Sequence, residues 1–287
     1  MLWISVAVFA VVAVMLVMAA IRGRRTRDYT LSRREVAWGE PFIAIAGVFL
    51  PFLILAGVYV FSLNEMNQLA ADGSNADLVV EVSGRNWWWE ARYPNGAVTA
   101  NEIHIPVGEP VRFELTTRDV IHSFWVPQLQ VKTDQIPGRT NVTWLEADSP
   151  GRYRGQCAEY CGLQHTNMVF YIVAEPTDRF DSWVENEAAD AVEPLSQTEQ
   201  AGREIFMDSS CVGCHAIRGT EADARLGPDL THVVTRSTIG GSVANTRANL
   251  KQFVRDAQEL KPGVSMPPAE LTPEELDLLV DYLESLD

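Results

Sequence analysis

The chain has 287 residues, 47% of them hydrophobic, with 23 Lys and Arg against 38 Asp and Glu and a net charge of −15. That length suggests about two domains, and so acidic a chain argues against nucleic acid as a partner, because phosphate backbones select basic surfaces. The charge is uneven: residues 1–63 carry a net +3, 64–193 a net −11 and 194–287 a net −7.

Residues 1–21 hold no charge, nor do residues 41–63, which include Pro51. Each run exceeds the ~20 residues that cross a bilayer as a helix. Between them Arg22, Arg24, Arg25, Arg27, Arg33 and Arg34 outnumber Asp28 and Glu35. Positive loops stay in the cytoplasm, which places the N-terminus and everything after residue 63 on the outer side. A cleaved signal peptide would carry its positive charge before the apolar run. Here the first Arg is residue 22, so a retained hairpin of two spans is expected.

From 78 to 174 the pattern changes to short alternating runs: 78–83, 102–106, 111–116, 141–146, 152–157 and 168–174. Turn signals at Pro94-Asn95-Gly96, Pro137-Gly138 and Ser149-Pro150-Gly151 separate them, the layout of an antiparallel sandwich or barrel. After Pro176 a short helix is expected, with Phe180, Trp183 and Val184 on one face, and residues 186–194 read as a polar linker. Ser196 with Glu199 forms a capping box, so a helix begins there. Thr272-Pro273-Glu274-Glu275 starts another, with Leu276, Leu279, Val280 and Leu283 as its core stripe.

Two constellations carry chemistry. Residues 157–168 read Cys-Ala-Glu-Tyr-Cys-Gly-Leu-Gln-His-Thr-Asn-Met, and His122 lies upstream at the end of an expected strand. Two thiols, imidazoles and a thioether favour copper over zinc, calcium or magnesium. A disulfide between Cys157 and Cys161, or a structural zinc, also fits the residues. Residues 211–215 read Cys-Val-Gly-Cys-His, with Met266-Pro267-Pro268 downstream. Cys-x-x-Cys-His is the attachment signature of a c-type haem. The two thiols bond the haem vinyls, His215 binds the iron, and Met266 supplies the second axial ligand, a pairing suited to electron transfer.

The run Cys157–Met168 with His122 resembles the copper A motif of cytochrome c oxidase subunit II, and with the haem motif the whole chain resembles the caa3-type subunit. The resemblance implies a multidomain protein: a transmembrane hairpin (1–63), an all-β cupredoxin domain (64–185), a linker (186–195) and an all-α class I cytochrome c domain (196–287). It also implies a binuclear copper bridged by Cys157 and Cys161, with His122, His165, Met168 and the carbonyl of Glu159 as the remaining ligands. The Glu159 side chain then faces a magnesium or manganese ion against subunit I. Trp87 and Trp88 match the aromatic cluster where electrons come in, and Glu35 the mouth of a proton-uptake path. Leu226-Gly227-Pro228 matches the segment whose Pro carbonyl orients the haem's His. Subunits I and III, the bilayer, and a cytochrome c or quinol-oxidising complex as donor are the implied partners. The implied activity is electron input to a proton-pumping terminal oxidase. A nitric oxide reductase subunit, a membrane-anchored carrier without a fixed partner and, remotely, a nitrous oxide reductase share parts of the pattern.

Overall fold

The computed structural model describes residues 2–23, 33–69 and 76–287. Arg24, Arg25, Arg27 and Asp28, on which the membrane orientation partly rests, lie outside them. Helix α1 spans Leu2–Gly23 and α2 Arg33–Ala44; a π-helical turn, Ile45–Phe49, leads into α3, Leu50–Leu69. Leu2–Arg22 and Pro41–Asn67 are each long and apolar enough to cross a membrane. Large side chains such as Phe9, Leu16, Phe52 and Phe61 stand exposed along them, as lipid-facing helices require. The π turn has a local cause. Pro51 has no N–H to bond the carbonyl four residues back, and just before it Leu50 N–H reaches the carbonyl of Ile45 instead.

Ten strands follow: β1 (Leu78–Arg85), β2 (Trp88–Arg92), β3 (Val98–Ala100), β4 (Glu102–Pro106), β5 (Val111–Thr117), β6 (His122–Trp125), β7 (Thr133–Gln135), β8 (Asn141–Leu145), β9 (Gly151–Cys157) and β10 (Val169–Glu175). They form two five-stranded sheets in the orders β3-β2-β1-β5-β8 and β4-β10-β9-β6-β7. The β1–β5 and β4–β10 pairs are parallel and the others antiparallel, so the sandwich is mixed rather than wholly antiparallel. Trp89, Phe124 and Phe170 fill its centre, Trp89 and Phe170 with ring centroids 4.9 Å apart and Phe124 stacked on Phe170 at 4.5 Å.

Helix α4 (Thr177–Ala188) closes one end, with Phe180 buried and Trp183 stacked on His104 at 3.9 Å. The chain beyond it is pinned. Arg218 donates to the carbonyls of Glu187 and Ala189, and the Ala191 N–H donates to Arg218 O at 3.1 Å.

The C-terminal part is helical. Helix α5 (Gln197–Asp208) starts at the Ser196–Glu199 capping box and α8 (Pro273–Glu284) at the Thr272–Glu275 box. They cross where Gly202 meets the backbone of Leu278; a Cβ there would lie 2.1 Å from its carbonyl oxygen, so only glycine allows the approach. Phe206 packs edge-on to Tyr282 at 6.2 Å, and Leu276, Leu279, Val280 and Leu283 are all buried. Between α5 and α8 lie the small ribbon β11 (Thr238–Ile239) and β12 (Val243–Ala244), then α6 (Arg247–Arg255) and α7 (Ala257–Leu260). Sandwich and helical part belong to one compact unit.

Candidate metal centres

His122 opens β6 rather than ending the strand before it, which stops at Thr117. Strand β6 pairs with the end of β9, Phe124 opposite Cys157, so both residues reach the same rim of the sandwich. The loop after Cys157 then folds back, through a 3-10 turn at His165–Asn167, to Met168 before β10. Six sequence-selected groups converge there. The thiols of Cys157 and Cys161 are 3.7 Å apart; His122 Nδ1 is 3.8 Å from Cys157, and His165 Nδ1 is 3.6 Å from Cys161. Met168 Sδ is 3.7 Å from Cys161 Sγ, and the Glu159 carbonyl is 3.1 Å from Cys157 Sγ. A disulfide needs about 2.05 Å, and both cysteines are free thiols. The set offers three sulfurs, two imidazole nitrogens and a carbonyl, nearly all buried, a soft donor set that fits copper.

The electrostatics favour a bound cation. The hydrogen bond from Cys161 chiefly holds the Cys157 thiol well below its usual range, while the same contact and burial push Cys161 up. The pair thus shares one proton, which metal binding would release. Burial alone would lower the His122 pKa. The hydrogen bond with Asp119 and that with Cys157 outweigh it, and the net shift is upward. Asp119 Oδ1 accepts from His122 Nε2 at 2.7 Å, leaving Nδ1 to face the thiols. Its carboxylate also accepts from the N–H groups of Asn86 at 2.7 Å and Val120 at 2.6 Å. A carboxylate behind a ligating imidazole fixes ring orientation and tautomer. Sequence reasoning missed Asp119; its one signal is an acid three residues before His122 in a turn.

The Trp triplet divides. Trp87 Nε1 donates to the Cys161 carbonyl at 2.9 Å and its ring lies against Gly162; Trp88 is half-buried beneath the Arg85 guanidinium, 5.2 Å from the ring centroid; Trp89 is core. The Glu159 carboxylate is exposed and, with Asp134, shares Lys132, at 3.5 and 2.7 Å. Glu35 lies within α2.

The second centre lies in the helical part. Cys211 lies within a 3-10 turn, Ser210–Gly213, and Cys214 just after it; both are half-buried and free, and His215 N–H donates to Cys211 O at 3.0 Å. His215 Nδ1 hydrogen-bonds the Pro228 carbonyl at 2.8 Å, so Nδ1 carries the proton and Nε2 is left to bind iron. Burial lowers the pKa of this imidazole, keeping it neutral as a ligand must be. Gly227 gives it room: a Cβ would sit 2.5 Å from His215 Cε1. These residues fit a covalent haem. Met266 is half-buried on the segment after α7, its carbonyl 3.3 Å from Gln258 Nε2. His232 is a buried packing residue, its Nε2 donating to Ala189 O at 3.1 Å.

Comparison with known proteins finds a family for each of the two parts that carry these residues. Residues 96–175 match the family described as "Cytochrome C oxidase subunit II, periplasmic domain", and residues 199–287 match "Cytochrome c". Cytochrome c oxidase subunit 2 of Alkalihalophilus pseudofirmus is 39% identical, over 88% of this chain and 72% of its own length. That of Bacillus sp. strain PS3 is 33% identical over 88% and 74%, and that of Bacillus subtilis 29% over 93% and 80%.

Proposed function

Because the chain belongs to the cytochrome c oxidase subunit II family, we propose that it is the electron-input subunit of a proton-pumping terminal oxidase of the caa3 type. It takes electrons from an external cytochrome c or quinol-oxidising complex and delivers them to subunit I, where O2 is reduced to water. The observation that carries this reading is the convergence of His122, Cys157, Cys161, His165 and Met168 on one rim of a sandwich joined in the same chain to a Cys-x-x-Cys-His unit.

In this reading His122, Cys157, Glu159 (through its carbonyl), Cys161, His165 and Met168 hold a binuclear copper A. Cys211 and Cys214 would hold haem c covalently, and His215 and Met266 would bind its iron. When bound, the two groups supply one-electron redox couples. The chain's own residues do the rest. Asp119 orients His122, the Pro228 carbonyl orients His215, and the buried rim keeps water from the thiols. Trp87, bonded to the Cys161 carbonyl, adjoins the copper loop where electrons arrive. The exposed Glu159 carboxylate faces subunit I and a magnesium or manganese ion there, and Glu35 lies at the mouth of a proton path. Two spans anchor the chain in the inner membrane with residues 76–287 on the periplasmic side, beside subunits I and III.

The test is gas consumption by the detergent-purified complex with a reduced cytochrome donor. Rapid cyanide-sensitive O2 uptake is expected. Turnover of nitric oxide with negligible O2 uptake would move the chain to the reductase branch.

A further inference from the structure

Lys261 is the most deeply buried Lys or Arg among the described residues. It is 2% exposed, follows α7, and lies five residues before Met266. Its ammonium donates to two main-chain carbonyls, those of Trp87 in the sandwich and Gly240 in the helical part. Among the described residues no carboxylate pairs with it. An unpaired buried ammonium is costly unless something negative stands near. Burial draws its pKa down to about 8, and the one group that acts against this is Cys161 of the copper loop.

The surroundings point the same way. Trp87, whose carbonyl Lys261 holds, donates its indole N–H to Cys161 O. On the next residues of the copper loop, Leu163 lies against Gly263, and Gln164 Nε2 donates to the Pro262 carbonyl at 2.7 Å. The strand of chain leading to the haem ligand Met266 is therefore seated directly on residues 161–164, which end at the copper ligand His165.

We propose that Lys261 is a positioning residue with an electrostatic role: its ammonium seats the Met266 segment on the copper loop and, as a fixed positive charge beside that loop, strengthens the copper site's hold on an electron. The proposal rests on the functional reading above. Gaining an electron removes one unit of positive charge from the copper–thiolate site, and a nearby cation favours that change. With an effective dielectric of ~20, a unit charge at roughly 10 Å from any redox site alters a one-electron equilibrium about tenfold.

The experiment is a mediated redox titration of the purified complex, reading the near-infrared copper absorption and the haem α-band in the same sample. Lys261→Met keeps the length and loses the charge; Lys261→Gln keeps a donor for the carbonyls and guards against a variant that does not fold; Lys261→Arg keeps the charge. The Met and Gln variants should lower the copper midpoint by the equivalent of about tenfold, ~59 mV for one electron, with haem still covalently attached. The Arg variant should stay near wild type. A copper midpoint unchanged in both neutral variants would overturn the electrostatic role while leaving the functional reading intact. A wild-type complex without near-infrared copper absorption would overturn both.

Discussion

Asp119 is the sharpest test of how the copper rim is built. His122 is fully buried, and its Nε2–H reaches only Asp119, at 2.7 Å, across a carboxylate whose side chain is 30% exposed. A hydrogen bond to a charged group contributes about 1.5–3 kcal/mol. Partial exposure trims this to roughly 1–2 kcal/mol, or about five- to thirtyfold in affinity. Asp119→Ala should therefore weaken copper binding by that factor. Asp119→Asn is the more telling change. The carboxylate accepts from His122 on one side and from Asn86 N–H on the other. An amide has only one oxygen. Turned to Asn86, it presents its NH2 to Nε2 and drives the His122 proton to Nδ1, the nitrogen that faces Cys157. Asparagine should thus cost as much copper as alanine despite its closer shape. The assay is competition with a chelator of known copper affinity, followed in the near infrared, with the haem band as a control for folding. Wild-type affinity in Asp119→Asn would refute the argument, since neither the charge nor the second acceptor would then matter.

Met266→Ala should leave haem attached through Cys211 and Cys214 but lower its midpoint in a redox titration; an unchanged midpoint would assign the axial position elsewhere. Gly227→Ala puts a methyl 2.5 Å from His215 Cε1, so it should tilt the imidazole, perturb the haem absorption spectrum and cost about 1–3 kcal/mol in denaturant unfolding. Burial raises the Glu187 pKa to about 7, against the pull of Arg236 and Arg218. Its folded pKa lies above the unfolded value, so the fold binds the extra proton between about pH 4.5 and 7. Stability then falls by about 3 kcal/mol as pH rises through that window. Glu187→Gln should raise the Tm at pH 8 and leave it unchanged at pH 4.5; equal gains at both pH values would assign the effect to packing.

Strands with clear alternation, such as β5 and β9, were legible because each presents one face to the core. Strands β2, β3, β6 and β7 were not. They span three to five residues, and β3 and the first three residues of β6 are buried on both faces, so no period of two survives. The same cause misplaced His122, which reads as the close of one strand and is the first residue of the next. The copper ligands could be read because soft donors are rare and all six groups fall between Cys157 and Met168 or at His122. Asp119 could not, since an acid in a turn is ordinary and only the fold turns it toward an imidazole. Helix α6 was missed because it is short: its nine residues carry one apolar pair four apart, Leu250 and Val254, among mostly polar neighbours.

The seam between sandwich and helical part has one further property. Lys261 ends on the Trp87 carbonyl, Gln164 on that of Pro262, Arg85 on that of Arg225 and Arg218 on that of Gly96. Each acceptor is a peptide oxygen, which every residue type carries. Evolution can exchange the side chains at 87, 96, 225 and 262 without breaking these bonds, provided the backbone keeps its course. At these four bonds relatives can therefore retain the docking while residues on the acceptor side drift independently of the donors; only where side chain meets side chain, as Ser237 meets the Glu102 carboxylate, would paired substitutions leave a trace.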